Sequence, residues 1–211
     1  MNQGIHSKNR GQCGFSLIEL MVVVIVVLVI TAIALPNFMR GLREYRLNNA
    51  GTEVANLIQQ TRYTAVRLNR DITVRATCPG VVPVRAWVDL NNNGAFDPGG
   101  VDLDGDGVNE AQESTVVLSN DIVFGPPGAP GPGTMGAAYA AANLPACGGA
   151  ANAGIRFNSR GILDFVAGAA PVFFVPVGYS TAGLSGFRAV TVTPMGKTKL
   201  WKGGSGGWTG R

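Results

Sequence analysis

The chain has 211 residues, of which 46% are hydrophobic and only 14% charged, and its mean hydropathy is positive. It is too apolar for a disordered protein, while 30 Gly and 12 Pro argue against a helical bundle, a doubly wound sheet or a multi-span transporter. The formal charge of +4 conceals seven acids (Asp89, Asp97, Asp102, Asp104, Asp106, Glu110 and Glu113) within 25 residues that hold no Lys or Arg, and one His with three Cys leaves little material for catalysis.

Residues 1–14 are polar and carry Lys8 and Arg10 without an acid, so the positive-inside rule keeps them cytoplasmic. The apolar run begins at Phe15, and the 16 residues from Leu20 to Leu35 carry no charge. From Phe15 to Leu35 a helix would be about 31 Å long at roughly 1.5 Å per residue, enough to span a bilayer once. A cleavable secretory signal would have a shorter core followed by a small-residue site. Here Pro36, Asn37 and Phe38 follow with the helical pattern continuing, which predicts a retained segment. Glu19 lies inside this run, where an ionised carboxylate costs ~2.5 kcal/mol or more near the helix centre and marks a functional residue by default. A snorkelling acid close to the interface is the alternative.

The residues Gly14, Phe15, Ser16, Leu17, Ile18, Glu19, Leu20, Met21 and Val22 resemble the prepilin signature of type IV pilins and type II secretion pseudopilins. The resemblance implies that a prepilin peptidase cuts between Gly14 and Phe15, that Phe15 is then N-methylated, and that Glu19 serves subunit assembly. Pro36 falls where such subunits often have a helix-kinking proline. The chemistry agrees. A chain beginning at Phe15 places an ammonium at a helix start in apolar surroundings, where a carboxylate one turn along a neighbouring helix would neutralise it.

Beyond Pro36 the apolar positions Phe38, Leu42, Tyr45, Ala50, Val54, Leu57, Ala65 and Leu68 recur at mostly three- and four-residue steps, with Arg40, Arg43, Arg46, Arg62, Arg67 and Arg70 largely on the other face. This predicts one long helix, membrane-embedded first and amphipathic afterwards, kinked at Pro36. Its apolar stripe needs a sheet to cover it. Leu57 to Val74, with Arg62, Ala65, Val66, Asn69 and Thr73, resembles the GspH/FimT branch of these proteins, whose helix ends in an Arg-x-x-Ala-x-x-x-Asn run before the first strand.

Strands are predicted at Ile72–Thr77, Val84–Leu90, Ser114–Leu118, Ile122–Phe124, Ile155–Asn158, Val172–Val177 and Phe187–Thr193, between Gly, Pro and Asn clusters. Gly125–Gly136 and Gly148–Gly154 read as loops. Arg156–Gly161 and Val190–Lys197 resemble two strand-then-Gly turns found late in GspH/FimT proteins. The fold class implied is α+β and pilin-like, a long N-terminal helix on a C-terminal antiparallel β domain. Its divisions are a leader at 1–14, a transmembrane and assembly helix at 15–36, the amphipathic helical half at 37–70, and a periplasmic β-rich domain at 71–211 with an acidic loop at 89–113. Under the cut that the resemblance implies, Cys13 would leave with the leader. Cys78 and Cys147 remain, facing an oxidising compartment, either as a disulfide or as two separate buried thiols.

Within the acidic loop, Asp102, Asp104, Asp106, Gly107, Val108, Glu110 and Glu113 match the twelve-residue calcium pattern, with Gly107 at the sharp turn and Glu113 in the bidentate position. Alternating hard oxygen donors suit Ca²⁺, and no His or Cys lies nearby to suggest zinc or copper. Asp89, Asn91, Asn93, Gly94 and Asp97 begin a second copy, but Gly100 occupies the place of its closing acid. This copy uses Asp97 differently, donates to a shared site, or binds nothing. The calcium expected here is structural, and a solvated acidic connection is the alternative.

Three functions compete. A filament subunit, a minor pseudopilin or pilin of a type II secretion pseudopilus or type IV pilus, accounts for the signature, Glu19, Pro36 and the helix-then-strands order. Its partners would be other pilins or pseudopilins, the prepilin peptidase and the inner membrane. DNA binding is the second. Some FimT-like minor pilins take up DNA through a Gly-Arg-x-Arg motif, which Gly196, Lys197, Thr198 and Lys199 resemble, with Lys202 close by. Lys in place of Arg keeps the charge but loses the bidentate fork. An enzyme is the third, and no nucleophile–base constellation can be assembled around the single His6.

Overall fold

The computed structural model describes residues 16–77, 81–136, 139, 154–164, 172–181, 186–204 and 206–210. Contacts divide the chain into two compact units, Met1–Arg43 and Glu44–Arg211. A single helix, α1 (Leu17–Leu68), contributes to both and continues through Pro36. In the first unit its described side chains are exposed, apart from half-buried Leu42.

In the second unit α1 buries Leu47, Ala50, Gly51, Val54, Leu57, Ile58, Thr61 and Ala65, a stripe with three- and four-residue steps. It starts at Leu47 instead of the expected aromatic positions. Tyr45 is 69% exposed and Phe38 68%. Gly51 permits a close approach to the sheet, since a Cβ there would lie 3.0 Å from Leu200 Cδ1 and 3.2 Å from Arg188 Cβ.

Nine strands follow: β1 (Ile72–Ala76), β2 (Arg85–Asp89), β3 (Thr115–Val117), β4 (Ile122–Phe124), β5 (Ile155–Phe157), β6 (Phe173–Tyr179), β7 (Phe187–Val192), β8 (Thr198–Gly204) and β9 (Gly207–Gly210). They form two antiparallel sheets, ordered β3-β2-β1-β5 and β4-β6-β7-β8-β9. The first seven strands agree with the sequence reading to within two residues at each end. β8 and β9 were not expected.

The apolar side chains of both sheets join the helix stripe in one core that includes Ile72, Val74, Val88, Val175, Val177, Val190 and Val192. The other face of the five-stranded sheet is also covered, which explains why β6 reads as a nearly continuous apolar run and why β7 is buried along almost its whole length. There Phe174, Ala189, Trp201 and Trp208 cluster with Met135, Tyr139 and Phe187. The Gly125–Gly136 segment thus contributes a lid to the sheet, with a 3₁₀ turn at Pro132–Met135. Trp208 Nε1 donates to the Pro130 carbonyl at 3.0 Å.

Candidate functional sites

Glu19 lies in the first turn of α1, where the exposed backbone N–H groups favour a carboxylate. The residues after it, as far as Leu35, form an apolar surface broken only by Thr31, whose hydroxyl donates back to the Val27 carbonyl at 2.7 Å. Leu20, Met21 and every Val, Ile and Leu from Val22 to Leu35 stand at least 47% exposed, on a helix long and apolar enough to cross a membrane. Gly14 and Phe15 lie outside the described residues, as do Cys78 and Cys147.

In the acidic connection, an antiparallel bridge between Val101 and Ala111 pins the two ends of residues 102–110 together, with Val101 N–H donating to the Ala111 carbonyl at 2.7 Å. Gly105 and Gly107 supply positive φ inside that turn. Carboxylate oxygens of Asp102, Asp104, Asp106 and Glu110 all lie within 4.8 Å of one another. Asp102 accepts from the backbone N–H groups of Gly105 (2.6 Å) and Gly107 (2.8 Å), and these bonds hold its carboxyl below the usual carboxylate range. Four carboxylates so gathered, with the Val108 carbonyl in the seventh position, are hard donors that fit a divalent oxygen-seeking cation.

Glu113 does not join them. The bridge at Val101 and Ala111 turns the chain back toward β2, where Val88 N–H meets the Ser114 carbonyl at 2.9 Å. Glu113 is thereby carried under the first half of the loop. Its Oε1 accepts from Leu90 N–H (2.9 Å) and its Oε2 from Asp97 N–H (2.8 Å), and the side chain is 6% exposed. Burial pushes its carboxyl above the ordinary value against the pull of these two bonds, and the charges of Asp89 and Asp97 add to the rise. The residue expected to close the loop at 102–113 is therefore a structural clamp on residues 90–97.

Lys197, Lys199 and Lys202 do not share an edge. On β8, Lys199 pairs with Thr191 and Lys202 with Arg188, and strand alternation sends them to opposite faces. Lys199 Nζ lies 4.3 Å from the centroid of the Trp201 ring. Lys202 is drawn to the helix side by Glu44, which also accepts from Arg188 Nη2 at 3.3 Å. These contacts, the Lys202 hydrogen bond first, lower the Glu44 pKa. Lys197 precedes the strand, in the turn closed by Gly196.

Periodicity gave no sign of a junction at Arg62. Gln59 Nε2 donates to the Gly196 carbonyl at 2.8 Å, and Arg62 Nε to the Gly161 carbonyl at 3.0 Å. The two strand-then-Gly turns thus meet on neighbouring side chains of one helix. The signal available was the resemblance itself, which singled out Arg62 and both glycine turns without linking them.

Residues 9–35 match the family model of the prokaryotic N-terminal methylation motif, and residues 50–143 that of type II transport protein GspH. No curated protein and no solved structure matches the chain.

Proposed function

Because the chain belongs to the GspH/FimT-type pilins, we propose that it is a minor, non-enzymatic filament subunit, cut by a prepilin peptidase between Gly14 and Phe15 and assembled into a type II secretion pseudopilus or a type IV pilus. The observation that carries this reading is the exposed apolar surface of α1 from Leu20 to Leu35, opened by the single acid Glu19. A soluble fold does not leave such a surface uncovered. It suits a helix that lies first in the inner membrane and then among the helices of other subunits, with the β domain on the periplasmic side.

The N-terminus tests the proposal. Intact-mass measurement on protein from a peptidase-competent host finds a chain that begins at N-methylated Phe15, and Gly14→Ala shifts it toward the uncut form. Recovery of an intact Met1 terminus from that host overturns the reading.

We further propose that residues 102–110 hold a structural Ca²⁺ through Asp102, Asp104, Asp106, the Val108 carbonyl and Glu110. The ion would neutralise carboxylates that otherwise repel one another and keep the loop open. DNA binding through Lys197, Lys199 and Lys202 is not carried forward, because it requires one phosphate-facing edge and Lys202 is committed to Glu44 on the helix side.

A further inference from the structure

The two halves of the acidic connection share one hydrogen-bond skeleton and differ in what neutralises it. In each, the first Asp accepts from the Gly in sixth place: Gly94 N–H to Asp89 at 2.9 Å, and Gly107 N–H to Asp102 at 2.8 Å. The third residue accepts from the fifth, Asn93 N–H to Asn91 Oδ1 and Asp106 N–H to Asp104 Oδ1, both at 3.1 Å. The fifth accepts from the seventh, Ala95 N–H to Asn93 Oδ1 at 2.7 Å and Val108 N–H to Asp106 Oδ1 at 2.8 Å. The first half is thus folded like a cation loop.

Its oxygens, however, are engaged by the protein. Asp89 pairs across the sheet with Thr73, so Arg75, two residues along β1, points from the same face. Arg75 Nε lies 2.5 Å from Asp89 Oδ2, with the two side chains 2% and 0% exposed. The Ala95 carbonyl, in the seventh position, accepts from Trp87 Nε1 at 2.9 Å. Asp97, in the ninth, accepts from Asn91 Nδ2 at 3.1 Å and Asn93 Nδ2 at 2.7 Å. Glu113 spends its two oxygens on backbone N–H groups. A guanidinium is permanently charged and weakly hydrated, so it can remain in a buried site where a metal ion would meet like-charge repulsion from it.

We propose that Arg75 is the resident cation of the first half, residues 89–97, and that this half therefore takes no metal. Among the described residues, the metal capacity of the acidic connection is then confined to 102–110. This last point rests on the calcium reading of the second half, whereas the role of Arg75 does not.

The test is calorimetric titration of Ca²⁺ into the full chain in detergent after chelation, paired with melting curves in Ca²⁺ and in EDTA. The wild-type chain binds one equivalent. Asp89→Asn keeps it and Asp104→Asn removes it. Arg75→Met frees the Asp89 carboxylate and raises the count from one to two, whereas Arg75→Lys, which keeps the charge, leaves it at one. Two equivalents in the wild type, or loss of the single equivalent in Asp89→Asn, overturn the proposal without relying on any variant at Arg75. If the wild type binds none, the reading of residues 102–110 fails, and the Asp104→Asn, Arg75→Met double variant still decides the role of Arg75. A melting temperature higher in Ca²⁺ than in EDTA supports it, and an unchanged one overturns it.

Discussion

Arg62 Nε donates to the Gly161 carbonyl at 3.0 Å, and the same side chain fills the space that a Cβ on Gly196 would occupy, 2.6 Å from Arg62 Cδ. One helical residue thus couples two turns separated by more than thirty positions. Gly196 has φ +74°, so Gly196→Ala meets both the left-handed penalty of about 1–2 kcal/mol and the displacement of Arg62. Chemical denaturation should show a loss of roughly 2–4 kcal/mol, the hydrogen bond from the guanidinium contributing about 1.5 kcal/mol or more. In an Arg62→Ala background the same glycine substitution should cost only its backbone part.

Glu113→Ala should destabilise the β domain by roughly 2–4 kcal/mol, because the Leu90 and Asp97 N–H groups lose their acceptor. Were Glu113 a ligand of residues 102–110, the variant would also abolish their calcium response. A calorimetric titration should find that response retained.

The calcium reading of residues 102–110 predicts a melting temperature that rises with Ca²⁺ by mass action, equivalent to about 2.7 kcal/mol at a hundredfold excess over the dissociation constant. Asp104→Asn should erase the rise. Equal melting curves in Ca²⁺ and EDTA for the wild type would exclude the ion.

Glu44 governs part of the acid response. Its pKa is lowered, first by the Lys202 hydrogen bond, so it favours the folded state above the ordinary carboxylate value. That contribution disappears as pH falls through the lowered folded value. Glu113 has the opposite sign: its pKa is raised, so protonation on acidification relieves a cost. Glu44→Gln should therefore flatten the loss of stability in the acid limb while lowering stability at neutral pH. Because Glu44 is 48% exposed, solvent screening keeps that neutral-pH effect to about 1 kcal/mol or less. Melting curves between pH 3 and 7, compared with wild type, measure both.

Glu19→Ala should insert into the membrane as efficiently as the wild type, since it removes the one charge from the apolar start of α1. Membrane fractionation should find it there, and sheared filaments should lack it. Normal incorporation would remove Glu19 from assembly.

The local pattern alone carried the polar-to-apolar boundary at Phe15, the single long helix and seven strands, because each depends on side chains within a few residues of one another. β8 and β9 were illegible for the same reason. Gly203, Gly204, Gly207 and Gly210 give them little intrinsic strand preference, and Trp201 and Trp208 secure them only once Phe174 and the Pro132–Met135 turn cover that face. The core stripe was displaced to Leu47 because helical spacing fixes a period and not which face meets a sheet. The acidic connection shows the division most clearly. Its spacing marked one complete cation-loop pattern at 102–113 and the start of another at 89–97. Only the pairing of β1 with β2 brought Arg75 to Asp89, and only the Val101–Ala111 bridge turned Glu113 away from the loop it was expected to close. Ligand spacing is local, but the charge that satisfies a buried carboxylate arrives from wherever the sheet places it.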